Sequence, residues 1–290
     1  MANFGAKYPN EDLSDLLAFE ARQYREHWED VWSSLFGSFE TTTPIPPMRF
    51  TDQPVPSHAG VHDTLQIFSV KIKEKDQSLE WPLQVPFLKL SGPTRAVVVC
   101  DPVYFEVALK VKGSVESEDK DLSLLTVPLT GYSDILSTCL VNKVYTSKLS
   151  TLELAFGYVV DSVEATISVH ITEGSWPDDF YCDFTAQTSS LEHETVRLLG
   201  CEKIPIDDDG MIKLSRCVAS VEFEGELKVS VAAFQYDENL GKVIIMIGKD
   251  EEAFRPKKTG KSYGRLDVGF CKMDITVAWS LISLVSALFA

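Results

Sequence analysis

From about Leu65 onward the hydrophobic period of this chain is two, and that feature decides its fold class. The stretch "YFEVALKVKG" places Phe105, Val107, Leu109 and Val111 on one face, with Glu106, Lys110 and Lys112 on the other. "VEATISVHIT" does the same with Val163, Ala165, Ile167, Val169 and Ile171, and "LKVSVAAF" and "KVIIMIG" are read the same way. Successive side chains of a strand point to opposite faces, so such runs are half-buried strands. Turn signals separate them: Gly113, Gly131, Gly174, the Asp-Asp-Asp-Gly ending at Gly210, Gly225 and Gly241. No amphipathic helix pattern lies between the runs, so a doubly wound α/β fold has no crossovers to build with. The pattern predicts a mostly β chain, an antiparallel β-sandwich.

One helix precedes it. Over residues 11–35, Leu13, Leu17, Ala21, Tyr24, Trp28, Val31 and Leu35 recur at steps of three and four and form a single apolar stripe. Asn10 is placed to cap the start, Glu11 and Asp12 suit the positive end of the dipole, and Gly37 can stop the helix. The face made by Leu17, Tyr24, Trp28 and Val31 is expected to dock on the sheet or to be kept for a protein partner. "ETTTPIPPMRFTDQPVPSHAG" follows, with five prolines and no apolar period, and reads as an extended linker. The expected organisation is a helix and Pro-rich linker over 1–60, a β-sandwich domain over 61–281 and an apolar tail over 282–290.

The ending of the chain tests this division. From Cys271 the odd positions Met273, Ile275, Val277, Trp279 and Leu281 are apolar, while Lys272, Asp274, Thr276 and Ser280 alternate with them. That is a strand, with Ile275, Val277 and Trp279 inward and Thr276 and Ser280 outward. The charge-free stretch from Ile275 to Ala290 is sixteen residues, short of the about 20 that a spanning helix needs. A tail anchor through 275–290 is the lesser reading.

The balance of charge restricts partners. Forty-three acidic against 27 basic residues give a net charge of −16. Such a surface repels phosphate backbones and anionic membranes, so nucleic acid and membrane are disfavoured. The acidic N-terminal segment, with a charge every few residues, is not a secretory signal, and a cytoplasmic or nuclear location is expected. There the six cysteines, with no Cys-x-x-Cys among them, are expected as reduced core thiols.

No motif carries chemistry through. Gly260-Lys261-Ser262 ends like a phosphate-binding loop, but Arg255 stands where the first glycine belongs and no helix pattern follows. Asp207, Asp208 and Asp209 before Gly210 fail the spacing of a calcium loop, where Met211 and Val218 would hold the fifth and twelfth places, and read as a hairpin turn. Glu116, Glu118, Asp119 and Asp121 would need acids from a second loop to hold a metal. The histidines include no pair at metal-ligand spacing, and a Gly-x-Ser-x-Gly elbow is absent. No catalytic, metal or cofactor residue is assigned and no cofactor is expected. Arg255, Lys257, Lys258, Lys261 and Arg265 form a basic cluster on an acidic protein and are the candidate patch for an anion or an acidic partner.

The runs "PMRFT", "TLQIFSVKI", "LEWPL", "SGPTRAVVVCDPVYFEVALKVKG", "SEDKDLSLL" and "KMDITVAWSL", with "REHWEDVW" as a lead-in helix, resemble a plant family abundant in grasses, domain of unknown function 6598. The likeness runs roughly from Tyr24 to Leu281. Members usually carry a longer segment between the Trp-Pro-Leu and Ser-Gly-Pro motifs, which "WPLQVPFLKLSGP" joins directly here, near Leu83–Leu90. One or two strands of the usual sheet would then be missing, leaving an unprotected edge.

The resemblance also implies an association with ribosome-inactivating rRNA N-glycosidases of the jasmonate-induced type. Their site needs a Glu and an Arg three residues apart on a helix. "FEARQYR" offers Glu20 with Arg22 two on and Arg25 five on, both off its face. The expectation is therefore a non-enzymatic binding or regulatory β-sandwich module of unassigned ligand, with an inactive rRNA N-glycosidase relative as the alternative.

Overall fold

A computed structural model describes residues 13–38, 50–75, 86–99, 102–130, 135–147, 149–237 and 243–283. The predicted linker core at 39–49, the tail after Ser283, the turns at Gly131 and Gly241, and Cys100 lie outside the described residues.

The chain is mostly β with one N-terminal helix, and its antiparallel sheets pack as a β-sandwich. The helix is α1 (Leu13–Phe36). It ends at Gly37, whose φ of 83° is left-handed and whose N–H donates to the Ser33 carbonyl at 3.0 Å. The strands are β1 (Ala59–Gly60), β2 (His62–Lys75), β3 (Val97–Val98), β4 (Val103–Val111), β5 (Lys120–Leu129), β6 (Cys139–Thr146), β7 (Ser150–Gly174), β8 (Phe180–Thr188), β9 (Val196–Cys201), β10 (Val218–Glu222), β11 (Leu227–Asp237), β12 (Val243–Phe254), β13 (Thr259–Asp267), β14 (Cys271–Ser280) and β15 (Ile282–Ser283).

The 25 residues of β7 are the spine. Tyr158 pairs with Leu65 on one edge and Cys139 on the other, so β2 and β6 flank its first half. Thr166 pairs with Ala278 and Val218, so β14 and β10 flank its second half. Between them Asp161 takes φ 44°, a conformation that few non-glycine residues adopt. Each half has its own core. Leu152, Leu154, Phe156 and Tyr158 pack with Leu65 and Ile72 under the β4–β5 hairpin, where the Phe105 and Phe156 rings stand 5.4 Å apart. Val163, Ala165, Ile167 and Val169 face Phe184, Val229, Val231 and Ala233 of the second sheet, ordered β12-β11-β8-β9.

Helix α1 covers the outer face of the β4–β5 hairpin. Ala21 is fully buried, the Tyr24 ring lies 5.0 Å from that of Tyr104, and the Arg25 guanidinium meets Glu106 at 2.6 Å. Leu17, Tyr24 and Trp28 are half-buried, and Val31 is exposed.

The alternation read from the sequence describes β14, β11 and the second half of β7, and fails at two places. Ser280, expected outward, is fully buried, because residues 50 and 51 cover that face: the Phe50 N–H donates to Ser280 Oγ and Thr51 Oγ1 to the Trp279 carbonyl. In "KVIIMIG" Ile245, Met246 and Ile247 are all exposed. A continuous apolar run has no parity to set which face is inward, and β12 ends the order of its sheet.

Candidate functional site: a cationic cleft beside Arg216

The segment from Pro86 to Val97 makes the cleft. Its start is tied to β2, where the Leu88 N–H donates to the Val70 carbonyl and the Ile72 N–H to the Pro86 carbonyl. Its end, β3, pairs with Thr64 and Leu65 of the same strand. In between, the chain swings away from β2, with Gly92 at φ 68°, and its N–H there donates to the Ser215 carbonyl. Two adjoining hollows of about 250 and 320 Å³ result, and Leu90 and Arg216 belong to both. The smaller is walled mainly by Leu65, Ile67, Pro93 and Val97. The larger holds Lys89, Arg197 and Arg216 beside Phe68 and Phe87. Among the described residues no carboxylate lines either.

Arg216 is the unusual residue. It is 2% exposed, its Nε donates to the Gly92 carbonyl at 3.1 Å and its Nη2 to the Ile67 carbonyl at 2.6 Å. Among the described residues no carboxylate lies within ion-pair distance of it. Burial lowers its pKa, but a guanidinium stays charged in proteins. A buried cation held only by carbonyl dipoles is poorly compensated. Arg95 shows the alternative: its Nε meets the buried Glu164 carboxylate at 2.7 Å, and the Ala96 N–H donates to the same oxygen. Arg197 is held at the rim by Asp183 at 2.7 Å and the Tyr181 hydroxyl at 3.1 Å. Lys89 is exposed and forms no ion pair with a described residue.

Such an arrangement offers an anion several donors. Guanidinium forks and an ammonium suit a planar or tetrahedral oxyanion, and among the described residues no histidine, cysteine or carboxylate lines the hollows.

The structure distributes the residues singled out in the sequence. Arg255, Lys257 and Lys258 lie in the β12–β13 connection, and Lys261 and Arg265 on β13. Lys261 is paired to Asp52 at 2.9 Å, Arg265 stands between Glu173 and Asp274, and the Lys258 ammonium lies 5.8 Å from the Phe223 ring centre. Ser262 of the Gly-Lys-Ser stretch is on β13, where its Oγ accepts the Trp279 Nε1–H at 3.0 Å. Asp207 to Gly210 is a turn closed by an Ile206–Ile212 bridge and fixed by Asp207 Oδ1, which accepts the N–H groups of Asp209 and Met211. That turn abuts His170, whereas the Glu116–Asp121 loop adjoins Ser150. The two acidic loops are therefore some twenty residues apart along β7, on the order of 60 Å of strand path. Among the described residues no group of three His, Cys, Asp or Glu is placed to hold a metal ion, and no described helix is long and apolar enough to cross a membrane. Glu20 and Arg22 are exposed on α1, and Arg25 is taken by Glu106.

Sequence reasoning missed Arg216. Its only signal was position, a cation directly before "CVASV", whose last four residues are buried.

No curated protein matches the chain. Among solved structures, one similar chain is "Extended-Synaptotagmin 2, C2A- and C2B-domains", at 10% identity over 84% of this chain and 99% of that one, with a TM-score of 0.25. Another is "Human GIVD cytosolic phospholipase A2", at 10% identity over 77% of this chain and 33% of that one, with a TM-score of 0.26. These scores are too low to relate the folds. Sequence gives a firmer placement, since the profile of one family matches residues 84–277, a span that holds Lys89, Arg197 and Arg216 alike. The chain belongs to that family, a domain of unknown function, DUF6598.

Proposed function

We propose that this chain is a non-enzymatic binding module, and that the cleft beside Arg216 takes an oxyanion group, phosphate, sulfate or carboxylate, carried by a small molecule. The observation that carries this reading is the buried guanidinium of Arg216 with no carboxylate among the described residues to neutralise it. The protein as a whole has a net charge of −16. A cavity that concentrates cations on such a surface supports selective rather than general anion attraction. The apolar hollow next door suits the uncharged remainder of a ligand.

Titration calorimetry of the full chain with inorganic phosphate, sulfate and acetate tests the reading. Saturable binding that weakens as salt rises is expected for at least one of the three. Lys89→Ala removes an exposed side chain and leaves the fold alone, and it is expected to weaken binding about tenfold, the equivalent of ~1.4 kcal/mol. Arg216→Gln is expected to abolish it. Heat that never saturates, or binding indifferent to Lys89→Ala, would overturn the assignment of the cleft.

A further inference from the structure

A second feature lies beside the cleft and does not rest on anion binding. Cys182 of β8 and Cys201 of β9 are directly opposite one another in the antiparallel register, and their sulfurs are 2.7 Å apart. Opposed residues of an antiparallel pair have Cα atoms about 4.5–5.5 Å apart, inside the about 4.4–6.8 Å range of disulfides. No backbone movement is therefore needed to join them. Both are free thiols here, Cys182 fully buried and Cys201 half-buried. The other described cysteines, Cys139, Cys217 and Cys271, have no such partner.

We infer that Cys182 and Cys201 are a disulfide-forming site, oxidised by exchange with a low-molecular-weight disulfide. Cys201, the more accessible sulfur, attacks one sulfur of the small disulfide as its thiolate. A mixed disulfide forms and one small thiol leaves with the proton that Cys201 gave up. Cys182 then attacks the Cys201 sulfur, the protein disulfide forms, and the second small thiol leaves with the Cys182 proton. Two protein thiols are oxidised and one small disulfide is reduced to two thiols, so atoms and electrons balance. Burial pushes the Cys201 thiol up, against the contact with Cys182 and the Lys89 charge, which pull it down. Burial pushes Cys182 up further. Both shifts make the exchange slow and leave its end point unchanged. The bond would pin β9, which carries Arg197 and Gly200 of the cleft, to the interior of its sheet.

The test is a peptide map of the full chain. Reduced protein is incubated with oxidised glutathione, residual thiols are alkylated, and the chain is cut with trypsin without reduction. Cleavage after Arg197 separates the two cysteines, because residues 149–197 contain Cys182 alone and residues 198–203 contain Cys201 alone. A cross-linked pair of these two peptides is expected, with titratable thiols falling from the six of the sequence to four. Cys182→Ala is expected to stop at a mixed disulfide on Cys201. The inference is overturned if six thiols persist, if Cys201 in the unaltered chain ends as the mixed disulfide, or if the cross-link joins any other pair. The readout on the unaltered chain needs no variant to fold.

Discussion

Trp279 is fully buried in the core built on the second half of β7, and its one polar side-chain atom donates to Ser262 Oγ across β13 and β14. Its packing and its hydrogen bond can be separated by mutation. Trp279→Ala empties the site and is expected to cost about 3–5 kcal/mol, as truncations of large aromatic core residues do. Ser262→Ala leaves the ring in place and strands a buried N–H, at about 1–3 kcal/mol. Urea denaturation followed by circular dichroism measures both, and the serine variant should lose stability with an unchanged denaturant slope. If Ser262→Ala were neutral, the indole N–H would have another partner, water included, and the hydroxyl would not be what the ring position depends on. A related contrast separates two guanidiniums, the half-buried Arg95 and the buried Arg216. Arg95 has a carboxylate and Arg216 has none among the described residues, although both lie close to β2 and the crossing segment. A buried cation without a counter-charge is a reason to look for a ligand; a paired one is not.

At the scale of elements, α1 is the part whose contribution to stability is easiest to isolate. It touches the body through the β4–β5 hairpin, by Ala21, by Tyr24 on Tyr104 and by Arg25 on Glu106. A chain beginning at residue 39 removes it while keeping Phe50 and Thr51, which cover Ser280. Burial of a few aromatic and aliphatic groups stabilises by roughly 1.5–3 kcal/mol each when complete, and here it is partial. The shortened chain is expected to unfold at lower urea and to self-associate, read by denaturation and by light scattering. Equal stability and a monodisperse monomer would mean that the docked helix adds nothing. The helix and the strands were legible in the sequence because each depends on local periodicity: the stripe through Leu17, Ala21, Tyr24 and Trp28, and the alternation through Val163, Ala165, Ile167 and Val169. What was not legible depends on residues far apart in the chain. Ser280 is buried by Phe50, 230 residues earlier, and Arg216 is clamped by carbonyls of Ile67 and Gly92, 149 and 124 residues earlier. No window of sequence contains those pairs. The exposed Ile245, Met246 and Ile247 were misread for a different reason, since an unbroken apolar run looks the same on an edge strand as in a core.

At the scale of the molecule, one strand belongs to two cores. The first half of β7 supplies Leu152, Leu154 and Phe156 to the core under the β4–β5 hairpin, and the second half supplies Val163, Ile167 and Val169 to the sandwich. The halves meet at Asp161, whose N–H donates to Asp63 Oδ1 at 3.0 Å, while the Tyr158 hydroxyl donates to Asp63 Oδ2 at 2.6 Å. The left-handed turn of the spine is thus tied to β2 by one carboxylate. Damage to one core should be felt in the other, because β7 cannot leave the first core without straining its register with β14 and β10. Leu154→Ala creates a cavity in the first core and is expected to cost about 2–5 kcal/mol. Hydrogen exchange of the full chain reads where that loss falls. If the halves form one cooperative unit, slow amides of β14 and β11 lose protection by the same free energy as those of β2. Loss confined to β2, β6 and residues 150–160 would show two units that merely share a strand, and the coupling through Asp161 and Asp63 would then be wrong.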